Sequence, residues 1–241
     1  NYPEEELMLT LIAEDESVEA VQFNHYVEDI CGPNFIAAPF SLSRVYEKNE
    51  PFRNVVIDGF FNPDVLDSVV KDFPTPSEMG GKRFSSAHEK KYGTGTDIHH
   101  RVTPLVSDVI LALTGELFRN WLLKVTKLKG LIADPLFKGA GLHQSQNGDK
   151  LDVHVDFNKL TGHPKLENVE RRLNFLLYLN KDWNDDFGGN LQGEQNGAGK
   201  GCNAGSAVRI IYGGGSTAPA APANAASTQI SYFTPIHSGN A

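Results

Sequence analysis

Between Leu151 and Phe157 the chain reads Leu-Asp-Val-His-Val-Asp-Phe, an unbroken alternation of apolar and polar residues. On a strand, successive side chains point to opposite faces, so Asp152, His154 and Asp156 share one face and Leu151, Val153, Val155 and Phe157 the other. Side chains two apart stand side by side, and one imidazole with one carboxylate can then reach the same divalent ion. A half-buried strand also gives its polar face to water, so spacing alone leaves a second reading open, a surface strand whose His and Asp are solvated. The only cysteines, Cys31 and Cys202, are far apart and form no CxxC pair, which argues against a zinc ribbon or a disulfide framework. Histidine and carboxylate remain as the donor chemistry.

The elements that must position this segment are legible on both sides of it. Val18, Val21, Tyr26, Val27 and Ile30 fall at helical spacing before Gly32 and Pro33, predicting a docking helix over Ser17–Ile30. Asn54–Asp58 carries Val55, Val56 and Ile57 as a short strand; Asn62, Pro63 and Asp64 then supply an N-cap, a first-turn proline and an acidic first turn for a helix ending before Pro74. Thr75–His100, polar and glycine-containing, is expected to be a mobile loop, with Lys82–His100 as a lid over any cavity nearby. Thr103 and Pro104 open a second amphipathic helix, expected to run unbroken to about Lys127. Strand-like runs follow at Leu131–Ile132, Leu151–Phe157 and Leu173–Leu179, so helices come first and a β-sheet core later. In the Arg171–Asn180 strand, Arg172, Asn174 and Tyr178 share one face, while Leu173, Phe175, Leu177 and Leu179 share the other.

A longer set of residues carries a family likeness. Gly141-Leu142-His143, Gly148, Leu151, His154-Val155-Asp156-Phe157-Asn158, Arg171-Arg172-Leu173-Asn174, Leu177-Tyr178-Leu179-Asn180, Asp182-Trp183 and Gly188-Gly189-Asn190-Leu191 occur in order. Over about Leu131 to Gln192 the chain resembles the prolyl-hydroxylase-like branch of the Fe(II)- and 2-oxoglutarate-dependent oxygenases. The resemblance implies an α+β, mainly β fold, a double-stranded β-helix or jelly roll buttressed by N-terminal helices. It also implies Fe(II) and 2-oxoglutarate as cofactors, with ascorbate as an optional reductant, and His154 and Asp156 as metal ligands; Asp152 is not carried over. Two histidines and one carboxylate leave three open positions on an iron, enough for a bidentate 2-oxo acid and dioxygen. Asn174 is a candidate for the cosubstrate pocket, and a satisfied buried amide is the alternative.

The family pattern continues with a distal histidine as third ligand and then a basic residue for the far carboxylate of 2-oxoglutarate. Here the chain departs from it. Past Gln192 the composition turns to Gly, Ala, Ser and Asn, and Glu194, Lys200 and Arg209 are the only charged side chains. Residues 213–223 read as linker or disordered tail, while Val208–Tyr212 and Ile230–Phe233 are short apolar pieces able to complete a sheet. His237 is the one candidate for the third ligand, and Arg209, which precedes it, matches no family position. These observations divide the chain into an N-terminal helical extension (1–50), an oxygenase-like core (51–192) and an atypical C-terminal segment (193–241). With Asn1 as the first residue, the change of composition leads us to expect a truncated or frame-shifted reading frame.

The net charge of −8 argues against nucleic acid as a partner, and the most apolar stretch, near Val106–Val125, is interrupted by Asp108, Glu116, Arg119 and Lys124, against a membrane span. The acidic start and the sparse cysteines lead us to expect a cytoplasmic protein. The expected activity is hydroxylation of a protein side chain or a small molecule. A ligand-binding jelly roll without catalysis is the alternative from another class. A calcium-supported sugar-binding domain using Asp152, Asp156, Asn158 and Asp185 ranks behind both.

Overall fold

The computed structural model describes residues 30–31, 35, 39–50, 52–79, 82–94, 98–137, 141–146, 148–152, 157–180, 191–195, 198–202, 207–212 and 225–236. Of the helix expected over Ser17–Ile30 only Ile30 falls among them; it is buried and its carbonyl accepts from the Asn62 N–H at 2.9 Å. Helix α1 (Pro39–Lys48) leads into strand β1 (Asn54–Asp58), which agrees with its expected bounds. Helix α2 (Pro63–Lys71) starts where its cap chemistry requires: the Asn62 side chain accepts from the Asp64 N–H at 3.0 Å, and Pro63 occupies a position whose missing N–H costs no intrahelical bond.

The long helix expected from Pro104 is two. Helix α3 (Pro104–Thr114) stops at Gly115, which is extended (φ −68°, ψ 169°), and α4 (Glu116–Thr126) restarts at once. Glycine costs about 1 kcal/mol in a helix interior relative to alanine, so a turn there is inexpensive, and the Arg119 guanidinium donates to the freed Thr114 carbonyl at 2.9 Å. Helix α4 ends at Lys127, in the left-handed region at φ 62°, close to the predicted stop.

Nor is Thr75–His100 simply a loop. Strands β2 (Lys82–Ser85) and β3 (Glu89–Gly93) form a hairpin closed by Ser86, whose hydroxyl accepts from the N–H groups of His88 and Glu89. A sequence so polar hides a strand because this hairpin lies at the edge of the sheet. Its stability comes from backbone pairing and from cation–ring contacts, Arg83 over Tyr92 at 4.4 Å and Lys91 over Phe84 at 5.6 Å.

The remaining strands are β4 (Ile132–Ala133), β5 (Gly141–Ser145), β6 (Lys150–Leu151), β7 (Val169–Tyr178), β8 (Leu191–Gln195), β9 (Ala198–Cys202), β10 (Ala207–Tyr212) and β11 (Ala225–Pro235). Nine of the strands form one antiparallel sheet in the order β1-β10-β7-β11-β5-β3-β2, with β4 added to β11 and β6 to β3; β8 and β9 pair separately. The two apolar pieces of the tail, Val208–Tyr212 and Ile230–Phe233, lie in the interior strands β10 and β11 and complete the sheet as expected, while the stretch read as a linker, 213–223, lies outside the described residues. Strand β11 pairs with β7 on one side from Ser227↔Tyr178 to Pro235↔Val169, and with β5 on the other. An interior strand is held by backbone hydrogen bonds on both sides, which asks little of its side chains.

One face of this sheet is covered by the helices. Phe175 and Tyr232, fully buried on β7 and β11, meet Phe118 and Trp121 of α4 together with Phe35 and Phe60; ring centroids lie 5.2 Å apart for Phe118–Phe175 and for Phe60–Trp121. Two polar tips are satisfied inside this cluster: Trp121 Nε1 donates to the Phe35 carbonyl at 2.7 Å, and the Tyr232 hydroxyl to that of Leu113. The faces assigned to β7 from its sequence hold: Leu173, Phe175, Leu177 and Leu179 are buried in the helix-side core.

Candidate functional site

His154, Asp156 and His237 lie outside the described residues, as do Val153 and Val155 between the flanking anchors. What the structure defines is how the chain enters and leaves 153–156. On the entry side β6 pairs with β3, and the Asp152 N–H donates to the His88 carbonyl at 2.8 Å. The Asp152 carboxylate takes a hydrogen bond from Lys150 Nζ and a contact from His88 Nδ1, both at 3.1 Å; these interactions, that of Lys150 first, hold its carboxyl below the ordinary range. Asp152 is thus engaged with Lys150 and His88 at the sheet edge.

On the exit side the Arg171 guanidinium lies 3.9 Å over the Phe157 ring, the Arg171 N–H donates to the Asn158 carbonyl at 2.6 Å, and Leu160 N–H donates to the Val169 carbonyl. The described residues on either side of 153–156 are therefore tied to the β3 edge and to the start of β7. The C-terminal end of β11 arrives at the same place, because the Ile236 N–H donates to the Asn168 carbonyl at 2.7 Å, immediately before His237.

Beyond Asn158 the chain is fixed by a pair that sequence reasoning missed. His163 Nε2 lies 2.9 Å from Asp134 Oδ1, and both side chains are only 1% exposed. His163 Nδ1 accepts from the N–H groups of Lys165 (3.1 Å) and Leu166 (2.9 Å), so Nε2 carries the proton donated to Asp134. The same Asp134 oxygen accepts from the Leu136 N–H at 2.8 Å. No sequence signal marks this pair: the residues are 29 apart, and Gly162-His163-Pro164 reads only as a turn.

The sheet face away from the helices is different in character. Asn174 is buried, and Leu176 forms a small apolar cluster with Phe52 and Tyr178, separate from the helix-side core. Asn174 pairs with Ser231 on β11 and Ile211 on β10. Arg172, on the Asn174 face, is ion-paired with Glu170 two positions along the strand. On β5, Gly141 sits at φ 114°, and a Cβ there would come within 2.5 Å of Thr94 Oγ1, which accepts from the Leu142 N–H; glycine is obligatory at this strand entry. Cys31 is buried and its thiol is pushed up to about 12 by that burial, which makes it a poor nucleophile. Among the described residues no three His, Cys, Asp or Glu side chains converge as a metal site, and no helix is long and apolar enough to cross a membrane.

Comparison with known proteins matches residues 140–215 to the model of the 2OG-Fe(II) oxygenase superfamily. The match spans 76 of the 241 residues. It runs from the start of β5 through β10 and contains residues 153–156 and the face bearing Asn174 and Tyr178. The fold agrees. A prolyl-4-hydroxylase from Pseudomonas putida superposes with a TM-score of 0.59 at 15% identity, over 81% of this chain and 99% of that one. A Trichoplax adhaerens prolyl hydroxylase, solved with a hypoxia inducible factor peptide, gives 0.52 at 13% identity over 91% and 94%. The α-ketoglutarate-dependent epimerase SnoN of nogalamycin biosynthesis gives 0.59 at 11% identity over 82% and 81%. No curated protein matches the chain by sequence. A hydroxylase and an epimerase share this oxygenase fold at similar TM-scores, so the fold does not choose the substrate.

The superfamily's cofactors are Fe(II) and 2-oxoglutarate, and the chemistry of the residues present fits both. A His and an Asp two apart form a donor pair suited to a ferrous ion. The non-helix face of β7 offers an apolar wall at Leu176 between a buried amide, Asn174, and a phenol, Tyr178. Apolar walls with a few placed polar groups are typical of small-molecule sites.

Proposed function

We propose that the protein is an Fe(II)- and 2-oxoglutarate-dependent dioxygenase of prolyl-hydroxylase-like type, hydroxylating a protein side chain or a small molecule. The observation that carries the reading is that Asp152, tied to the β3 edge, and Phe157–Asn158, tied to Arg171 near the start of β7, flank the His154 and Asp156 positions in sequence inside the oxygenase-matched segment. His154 and Asp156 would hold the iron, with His237 as third ligand, since the Ile236–Asn168 bond brings β11 to the end of β7 where Asn158 is tied. The reading takes β8–β9 as part of the second sheet of a double-stranded β-helix.

Bound Fe(II) with 2-oxoglutarate supplies dioxygen activation through oxidative decarboxylation of the 2-oxo acid, giving succinate and carbon dioxide. The protein's part is orientation and exclusion of water. Arg171, stacked on Phe157, fixes where the chain leaves Asp156. His163 and Asp134 fix the following loop. Asn174 contributes a buried amide to the cosubstrate wall.

The test is an anaerobic Fe(II) titration with 2-oxoglutarate, followed by the visible charge-transfer absorption of a chelated 2-oxo acid, and then aerobic succinate production. Wild-type chain is expected to give both, and His154→Ala or Asp156→Ala neither. Full succinate production in either variant would exclude the ligand assignment. A second reading, a non-catalytic ligand-binding module, is favoured by the absence of Lys or Arg from β11; it predicts ligand binding with no succinate from the wild-type chain.

A further inference from the structure

The charge of this chain is unevenly placed. Residues 4–29 hold nine carboxylates and no Lys or Arg, whereas 30–241 hold 21 acidic side chains against 22 basic ones, so the net charge of −8 resides in the N-terminal segment. Glu14, Asp15, Glu16 and Glu19 form a dense cluster within it.

The opposite charge collects at one end of the helix layer. From Leu117 to Ala133 the chain carries Arg119, Lys124, Lys127 and Lys129 and no carboxylate. Helices α1 and α4 pack together, and Lys127 Nζ lies 5.5 Å from the centroid of the Phe40 ring, so the C-terminal end of α4 sits beside the start of α1. Arg44, exposed one turn on from Phe40, joins Lys124, Lys127 and Lys129 as a fourth cation. Glu47 and Glu116, the carboxylates of these two helices, lie toward the other end. Among the described residues none of the four cations is ion-paired, and Lys127 Nζ donates to the Lys124 carbonyl at 3.0 Å. Lys124 is half-buried, and that burial pushes its ammonium below the ordinary lysine range. The negative end of a helix dipole amounts to about half an elementary charge, which leaves most of this positive charge without a counterpart.

The acidic segment joins the fold within reach of this end. Phe35 stacks on Trp121, whose Nε1 donates to the Phe35 carbonyl at 2.7 Å, and Lys124 lies one turn further along α4. Glu14–Glu19 precede Ile30 by 11 to 16 residues, a span of about 16–24 Å as helix and more if extended, against about 16 Å for the whole of α4. An exposed ion pair is worth only about 0.2–1 kcal/mol, but covalent attachment holds such a segment at about millimolar effective concentration, where several weak pairs suffice. We propose that the cationic end of the α1–α4 layer, formed by Arg44, Lys124, Lys127 and Lys129, is the docking surface for the chain's own acidic segment, with Glu14–Glu19 as the contacting cluster. The surface belongs to the helix side of the sheet, so docking there leaves the face bearing Asn174 and Tyr178 open.

The test is carbodiimide cross-linking of the full chain, which condenses a carboxylate with a neighbouring lysine amine into an amide, read by mass spectrometry on a mixture of heavy-nitrogen-labelled and unlabelled protein. Links from Glu14, Asp15, Glu16 or Glu19 to Lys124, Lys127 or Lys129 are expected within single chains in about 0.01 M salt, where the screening length is about 30 Å, and should fall by about fivefold or more in about 1 M salt, where it is about 3 Å. Lysine acetylation of the same chain gives a second readout. The variant Glu14→Gln/Asp15→Asn/Glu16→Gln/Glu19→Gln should speed modification of Lys124, Lys127 and Lys129 by about threefold and leave the exposed Lys90 and Lys165 unchanged, as expected for the loss of weak exposed pairs. Links joining labelled to unlabelled chains would make the occupant a second copy and overturn the proposal. Links confined to Lys90, Lys150 or Lys165, links indifferent to salt, or acetylation rates that do not respond to the variant would overturn it as well.

Discussion

The two faces of β7 and β11 are stabilised by different physics. On the helix side, Phe175 and Tyr232 sit in an aromatic cluster with Phe35, Phe60, Phe118 and Trp121, where free energy follows apolar area and is nearly indifferent to pH. On either side of residues 153–156, the chain is held by directional contacts: Asp152 to Lys150 and His88, Arg171 to Asn158 and Phe157, His163 to Asp134, Arg83 to Asp149. A wall built from area tolerates chemical change at the site it backs. A rim built from hydrogen bonds positions ligands sharply and responds to single atoms.

The largest effect on stability is therefore expected on the wall. Trp121→Ala removes the ring that touches Phe35, Phe60 and Phe118 and leaves the Phe35 carbonyl without its indole donor. A loss of about 3–5 kcal/mol is expected, measured by urea unfolding at pH 7 and again at pH 5. A similar loss at both values fits a wall held by area, and a loss confined to one of them would break the comparison.

A rim variant sharpens it. Asp134→Ala strips the acceptor from both the His163 Nε2–H and the Leu136 N–H in a site 1% exposed, and about 2–4 kcal/mol is expected to be lost. Asp134→Asn keeps an amide oxygen at the position of Oδ1, the atom both donors use, and is expected to cost under about 1 kcal/mol. If the asparagine variant is as unstable as the alanine one, the pair depends on charge and not on the acceptor. Because the pair anchors the loop that follows Asn158, Asp134→Ala should also weaken Fe(II) binding, which Trp121→Ala should leave intact in the fraction that remains folded.

These particulars explain what could be read from sequence and what could not. Strand β7 was legible because large apolar residues alternate with Arg172, Asn174 and Tyr178, and α2 because Asn62-Pro63-Asp64 is cap chemistry. The β2–β3 hairpin was hidden by its polarity, since an edge strand has little apolar face to show. Strand β11 was legible only at its apolar piece, Ile230–Phe233; its start at Ala225 was missed because Ala, Ser and Thr in an interior strand draw on backbone pairing, which leaves no periodic mark. His154 and Asp156 stood out in sequence by their spacing and the family likeness, and both lie outside the described residues. His143 was quoted within the family motif, yet its alignment with Tyr178 exists only through the register of β11, and the His163–Asp134 pair only through tertiary contact. Local chemistry writes itself into sequence, and long-range register does not.

The Arg83–Asp149 pair gives the pH-dependent side of the comparison. Asp149 Oδ1 and Oδ2 receive the two ends of the Arg83 guanidinium at 2.5 and 2.7 Å, and Oδ2 also accepts from the Gln146 N–H. Burial by itself would raise this carboxyl, but the guanidinium, the Gln146 N–H and the nearby Lys90 charge outweigh it and hold it below the ordinary range. A carboxyl depressed in the folded state contributes stability above its unfolded value of about 3.9, and that contribution is lost as pH falls through the folded value. Arg83 remains about one-third exposed, so solvent screening keeps the pair's worth to about 1–2 kcal/mol. Asp149→Asn should therefore destabilise by that amount at pH 7 and converge on the wild type between pH 4 and lower values, read from denaturant midpoints across the range. A deficit that stays constant into acid would mean that Asp149 acts through the shape of the 146–149 turn and that the rim, like the wall, is indifferent to charge.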